Sequence, residues 1–374
     1  MNDIMERTEN ACKGMPEGAA SVSGEDLGAL VRLLFMTKDR DYRPAAIRRI
    51  ATKYGLSYRT AKGLSRFAER PAIREEDLAA YSDPAYYTLD NCAALAETGD
   101  PSLTELIPAQ MYEDERFLEM TGIDEIPDSF AEGDDAILAF TVRKQIRRIG
   151  SRAFAGCSHI IDVAYSKESS LEEIGALAFR GCERLRTDDL PPSVRSIGEA
   201  SYSGCLTLTS FTLPAQVREI RPYTFSGCVS LATVSARSGS VRLGECAFKD
   251  CPSLADVGGV IEEIGSEALA GCSGLKKAVF DCALISKRAC AGCSSLRSIH
   301  FRTPPVMFDR DCFIGCGPFD SVTVSGPSSQ LHSADGSREL GRHIRNPEDP
   351  GSPEALYRKI MKEEETEITG GADL

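Results

Sequence analysis

One residue type recurs along this chain at a spacing that leaves few folds open. Cys157, Cys182, Cys205, Cys228, Cys251, Cys272, Cys293 and Cys316 are separated by 25, 23, 23, 23, 21, 21 and 23 residues. A unit of about 20–29 residues cannot bury a hydrophobic face by itself, so successive units must stack and share one core. The expected architecture is therefore a solenoid in which each unit touches only its neighbours.

The residues around each cysteine fill in the unit. One unit runs Ile220, Thr224-Phe225, Gly227-Cys228, Leu231, Val234 and Ala236, and the one before it Ile197-Gly198, Ser201-Tyr202, Gly204-Cys205, Leu208, Phe211 and Leu213-Pro214. Leu243-Gly244, Ala247-Phe248, Cys251, Leu254 and Val257 follow, then Ile264-Gly265, Ala268-Leu269, Gly271-Cys272 and Leu275. Apolar residues three, six and often eight positions after the cysteine alternate with period two, the pattern of a short strand buried on one face. Leu296, Ile299 and Phe301 repeat it, as do Phe319, Val322 and Val324. The Gly-small-small-aromatic segment ahead of each cysteine reads as a tight turn or a short helix on the opposite side. Stacking would align Phe154, Phe179, Tyr202, Phe225, Phe248 and Leu269 in one buried column and the cysteines in another.

Over about Arg147 to Ser325 this pattern resembles the BspA-type leucine-rich repeat. The resemblance implies a curved array that binds proteins or acts as a surface adhesin, and it implies no catalytic residues. Upstream, Ile126-Pro127, Phe130 and Gly133 keep the register without the cysteine, and Leu106-Ile107-Pro108, Met111-Tyr112 and Leu118 read as one unit earlier. Degenerate terminal units are expected because they cap an otherwise open core. The fold class is α+β: a leucine-rich-repeat solenoid of short parallel strands preceded by a small all-α domain. We place a flexible N-terminus at 1–24, a basic helical domain at 25–98, degenerate repeats at 99–146, the repeats proper at 147–326 and a flexible tail at 327–374, with a short helix from Ser352-Pro353-Glu354 to Glu365.

Residues 27–74 differ in charge from everything else. They hold twelve Lys and Arg against three acids, a net +9, whereas the whole chain carries −13, which leaves −22 elsewhere. Such asymmetry points to an anionic partner for this segment. Leu27, Leu30, Val31 and Leu34 share one face of a first helix. Pro44 suits the start of a second, with Ile47, Ile50 and Ala51 on one side. Gly55 is the expected stop, Ser57 an N-cap, and a third helix from Tyr58 to about Glu69 turns Ala61, Leu64 and Ala68 inward. The run from Ile50-Ala51 through Gly55-Leu56-Ser57 to Thr60-Ala61 and Leu64 resembles a bacterial helix-turn-helix. That resemblance implies duplex DNA as a partner of residues 27–74, with Tyr58, Arg59, Lys62 and Arg66 facing the major groove and Arg48, Arg49 and Lys53 near phosphates. The plainer alternative is a helical bundle whose cations are simply solvated.

Chemistry is sparse in the rest of the chain. The four histidines are scattered, and no phosphate loop, dinucleotide fingerprint or nucleophile elbow occurs, so no enzyme activity and no cofactor are expected. Cys290-x-x-Cys293 and the Cys312, Cys316 pair have zinc-like spacing. Their positions belong to the aromatic column and the ladder, however, so no metal is expected. Free cysteines at core positions behave as small hydrophobes. No run of 18 apolar residues occurs, so no membrane span is expected, and the N-terminus carries no apolar segment of the signal-peptide type. The expected location is cytoplasmic; the alternative, an exported surface adhesin, requires an incomplete N-terminus. For the repeat array the expected partner is a protein, met on the exposed strand face by Ser210, Thr212, Thr233, Ser235, Lys277, His300 and Thr323. The chain contains no Trp, so this face lacks the aromatic anchors common in tight interfaces.

Overall fold

The computed structural model describes residues 47, 51–52, 55–67, 81, 83–187, 189–282, 284–302, 307–308, 311–317, 319–325 and 337–339. The first predicted helix, from Leu27, and the C-terminal helix from Ser352 lie outside the described residues.

Each turn of the solenoid has three sides. The first is a two-residue strand ending on the Ile of the repeat: Glu125–Ile126, Arg148–Ile149, Glu173–Ile174 and Ser196–Ile197 pair in parallel, one turn on the next. Next comes a turn carrying the aromatic residue and the cysteine. The third side is the predicted strand: Ala139–Val142, Asp162–Tyr165, Ser210–Leu213, Lys277–Phe280, Ser298–Phe301 and Ser321–Ser325. Two strands, Thr233–Leu243 and Asp256–Ile264, run through the bend, so that Thr233 pairs with Ser210 while Leu243 pairs with Ile220. The two-residue strands add a second parallel ladder to the one read from the period-two pattern. Two residues are too few to show a period.

The segment before the cysteine is a turn, not a helix. Its backbone bonds go to the next turn of the solenoid, as in Phe154 N to Ala178 O (2.8 Å), Phe179 N to Ser201 O (2.7 Å) and Phe225 N to Ala247 O (2.8 Å). The chain enters the left-handed region two residues ahead of the aromatic position, at Arg152, Leu177, Ala200 and Tyr223, and again at the glycine before the cysteine. Turns approach closely at the Ile-Gly step. A Cβ on Gly175 would lie 2.6 Å from Ser151 N, too near for any side chain.

Inside, the aromatic column is as expected. Phe154 and Phe179 stack with ring centroids 5.4 Å apart, Phe179 and Tyr202 at 5.3 Å, Tyr202 and Phe225 at 5.6 Å, and Phe225 and Phe248 at 5.3 Å. Each buried ring contributes roughly 1.5–3 kcal/mol by leaving water. The cysteine column has a chemical reason beyond size. Cys182 Sγ donates to Phe154 O at 3.2 Å, Cys228 to Tyr202 O at 3.1 Å, Cys251 to Phe225 O at 3.0 Å and Cys272 to Phe248 O at 3.1 Å. Each of these four thiols thus adds a hydrogen bond to the carbonyl of the aromatic residue one turn back; in three of the four that carbonyl also accepts the backbone amide of its own turn's cysteine, as Phe154 O does from Cys157 N (3.1 Å).

The ends differ from the middle. Residues 125–142 form a turn of the array with Ile126 and Phe130 buried, Ala131 where later turns place the aromatic residue and Asp134 where they place the cysteine. The segment read as a still earlier unit does not fold as one: Ala109–Glu113 is a 3-10 turn and Glu115–Thr121 an α-helix, capped by Asp114 through Arg116 N at 2.9 Å. Its apolar residues pack on the first turn at helical spacing. At the other end, Ser337–Glu339 folds back antiparallel onto Ser321–Ser325.

Two outcomes follow from the thiol column. Cys228→Ala should lower stability by about 1–3 kcal/mol, through the lost burial of the thiol and the loss of its hydrogen bond to Tyr202 O, and Cys228→Ser by less because its hydroxyl still donates; urea unfolding measures both. Burial holds the ladder thiols protonated, with Cys251 pushed up to about 12 and Cys157, Cys205 and Cys272 well above their ordinary value. Above about pH 8.5 the unfolded chain therefore binds fewer protons than the folded one, and stability is lost as pH rises. Under reducing conditions the urea midpoint should be flat up to that pH and fall steeply beyond it. A midpoint unchanged up to pH 10.5 would mean that the thiols ionise without unfolding.

Candidate functional site

The strand side offers the largest ordered surface. Ser210 aligns with Thr233 and Thr212 with Ser235, while Ser298 aligns with Ser321 and His300 with Thr323. Of the seven predicted partner-facing residues, Thr233, Ser235 and Lys277 are exposed, and Ser210, Thr212, His300 and Thr323 are half-buried between their neighbours. The rows are knitted by their own hydrogen bonds: His300 Nδ1 lies 2.7 Å from Thr323 Oγ1, and Ser321 Oγ donates to Ser298 Oγ at 3.0 Å. Lys277 Nζ lies 3.9 Å from Asp256. Where the Asp256–Ile264 strand kinks through Gly258 and Gly259, a hollow of about 300 Å³ opens beside Lys277, Val279 and Arg302.

The same sheet is broken at one place. Asp162–Tyr165 pairs with Ala139–Val142 on one edge only, and Ser210–Leu213 begins a separate sheet. Between them, residues 186–190 contribute an Arg186 N to Ile161 O bond (2.9 Å), a Thr187 Oγ1 that accepts from Val163 N (2.7 Å) and an isolated bridge from Asp189 to Thr212. The gap is an open groove of about 700 Å³ lined by Tyr165, Glu168, Arg186, Asp189 and the Pro191-Pro192 pair among others. Sequence reasoning passed over it, although the signal was present. Three positions after Leu185, where other repeats place Val163, Phe211, Val234 or Val257, stands Asp188.

The residues assigned to DNA have another use. The helix Tyr58–Phe67 begins with Ser57 accepting from Thr60 N at 3.0 Å, and it buries Ala61 and Leu64 against the start of the solenoid. Arg59 is only 3 % exposed. Its guanidinium donates to Ile107 O (2.8 Å), Phe130 O (2.7 Å) and Thr104 O (3.0 Å), and it sits 4.3 Å from the centroid of the Phe130 ring and 5.3 Å from that of Tyr112. Lys62 Nζ donates to Ser129 O at 3.2 Å and lies 4.0 Å from Glu132. Tyr58 is 5 % exposed. A buried ring and donors already engaged with carbonyls are not offered to base edges, so Tyr58 and Arg59 are corrected from groove-facing to buried residues and Lys62 to a half-buried one turned toward Ser129 and Glu132. The positive charge of a sequence segment does not report which face its cations occupy. Arg48, Arg49, Lys53 and the side chain of Arg66 lie outside the described residues. Among the described residues no group of three or more His, Cys, Asp and Glu converges on a metal position, and no helix is long and apolar enough to cross a membrane.

Arg59 is expected to hold the helix on the array. Arg59→Ala should cost on the order of 3–5 kcal/mol, as when one member of a buried charged network is removed. Arg59→Lys should recover little, because an ammonium cannot span three carbonyls and two ring faces. Thermal unfolding of the full chain reads both; near wild-type stability for the Ala variant would show the contacts to be idle.

Several solved structures are similar to part of this chain. A 28% identical leucine rich repeat protein of T. pallidum matches over 41% of this chain and 72% of its own, with TM-score 0.39. A leucine rich cell surface protein of Faecalibacterium prausnitzii is 21% identical over 52% of this chain and 62% of its own, with TM-score 0.43. The pneumococcal vaccine antigen PcpA is 18% identical over 53% of this chain and 61% of its own, with TM-score 0.32. No curated protein matches. The family model for the BspA type leucine rich repeat region matches residues 124–255 and 242–333 in six copies, more than half of the chain. With the stacked turns, the glycine steps and the thiol column in place, the chain belongs to the BspA-type leucine-rich repeat family.

Proposed function

We propose that this protein is a non-enzymatic interaction scaffold that receives a protein partner across its strand face. The observation that carries the proposal is the register: Ser210, Thr233 and Asp256 in one row and Thr212 and Ser235 in the next are held at fixed spacing by parallel pairing over successive turns. A rigid polar lattice of this kind binds by many small contacts and complementary charge, with Lys277 and Arg302 as its cations near the hollow, rather than by one aromatic anchor. Duplex DNA has no part in the proposal, because Tyr58 and Arg59 are buried. A reducing, cytoplasmic location does: all thirteen described cysteines are free thiols, and twelve are buried. Fractionation of the native host tests that location, and recovery at the cell surface would overturn it.

The strand face itself is tested by placing a photo-crosslinking residue at Thr233, at Ser235 and, as a control on another side, at Arg180. One and the same protein should be captured from Thr233 and Ser235 and not from Arg180, and Lys277→Glu should reduce its yield. Equal capture from all three positions, or none from the strand face, would refute the proposal.

A further inference from the structure

The break in the strand side leaves backbone groups without partners. Ser166 N bonds Val142 O, and Val163 N turns the other way to Thr187, so alternate residues of Asp162–Tyr165 face the gap. Among the described residues no backbone bond satisfies Val163 C=O, Tyr165 N–H or Tyr165 C=O. The turn that would supply those bonds reaches Pro191-Pro192, which have no N–H to give. An unpaired strand edge is a template for another strand, and proteins that do not use such edges shield them.

Three further features mark this gap. The groove has about 700 Å³, enough for a short extended segment. The buried Tyr202 hydroxyl meets that of Tyr165, which lines the groove, so the floor of the gap is polar. Glu168, at the rim, holds a left-handed backbone (φ 60°). The other non-glycine residues in that region all belong to the repeating turns, so Glu168 is the exception outside the repeat pattern. Its carboxylate has no ion-pair partner among the described residues, whereas Asp189 is held by Arg237 at 3.0 Å. With Asp189 held by Arg237 and Asp162 accepting from Thr187 Oγ1 (2.7 Å), Glu168 is the rim carboxylate left to meet a cation.

We propose that the groove between Asp162–Tyr165 and residues 186–192 is a docking slot for an extended peptide segment of a partner protein, which adds a strand to the open edge and sets a Lys or Arg beside Glu168. Backbone bonds to Val163 and Tyr165 supply affinity that is blind to sequence, and the carboxylate rim selects a basic side chain. This slot is separate from the strand face of residues 210–323, and either can fail without the other. Position 188 holds Asp where the other repeats hold an apolar residue, so this turn departs from the sequence pattern of the sheet-forming repeats.

The test uses the full chain and a phage-displayed library of random 12-residue peptides. Selection should enrich peptides with a Lys or Arg. A synthetic peptide so selected should slow hydrogen exchange at the Tyr165 amide. Glu168→Gln should weaken it several-fold. Asp188→Val, which restores the apolar pattern, should raise the melting temperature and cut binding by tenfold or more, with Lys277→Glu binding as the wild type. Failure to enrich any peptide, binding that survives Asp188→Val in a folded chain, or loss on Lys277→Glu alone would each overturn the proposal. So would self-association of the wild-type chain through this edge in sedimentation, abolished by Asp188→Val, since the occupant would then be a second copy.

Discussion

The contact on which everything else depends is the bond from one turn to the next. No turn of this solenoid closes on itself: the amides of Phe154, Phe179 and Phe225 find their carbonyls one turn on, and the thiols of Cys182, Cys228 and Cys251 find theirs one turn back. A buried polar group left unpaired costs more than a made bond returns, so each turn is stable only as part of a stack. That is why the composition of the turn is so narrow. A small donor must sit at the cysteine position, and nothing with a Cβ fits where Gly175 passes Ser151. The ring columns add bulk to this frame, but the alignment of donors and acceptors sets the period.

A stack of this kind has two raw ends, and the chain treats them differently. At the N-terminal end a helical cap is pinned through Arg59, whose planar fork serves carbonyls from three separate segments while Phe130 and Tyr112 cover it. A guanidinium tolerates this burial because its delocalised charge meets several carbonyls at once and ring faces that attract it. The C-terminal end is closed by a strand, Ser337–Glu339, that runs against the direction of all the others and so cannot be extended by another repeat. Capping by a change of element at one end and of polarity at the other gives the array a defined length.

Much of this was legible in the residues and some was not, for physical reasons. The core columns could be read because burial forces one residue type into one position turn after turn; Phe154, Cys157 and Ile160 need no structure to be placed inside. The second ladder of strands was invisible because Ile149 and Ile174 each bring only one inward residue, and a single residue carries no periodicity. Leu106 to Leu118 imitated a repeat because helix spacing and repeat spacing can both put apolar residues at similar intervals. Arg59 misled for a different reason. Local sequence reports that an arginine is present, while its partners at residues 104, 107 and 130 are distant in the chain, so no local pattern distinguishes a buried clamp from a groove reader.

The groove shows where repetition and function part company. Selection for stability alone favours an apolar residue three places after Leu185, since Val163, Phe211 and Val234 all gain by burial there and complete the sheet. Position 188 holds Asp instead, and at this turn Tyr165 keeps open backbone groups facing the groove. A repeat protein can accept such a loss at one turn because its stability is a sum over many interfaces, and the turns on either side of the break remain fully paired through their own ladders. In a solenoid, the position that violates the repeat without harming its neighbours is therefore the natural place to find specificity. Here that turn lies between the sheet of Ala139–Val142 and Asp162–Tyr165 and the sheet that begins at Ser210.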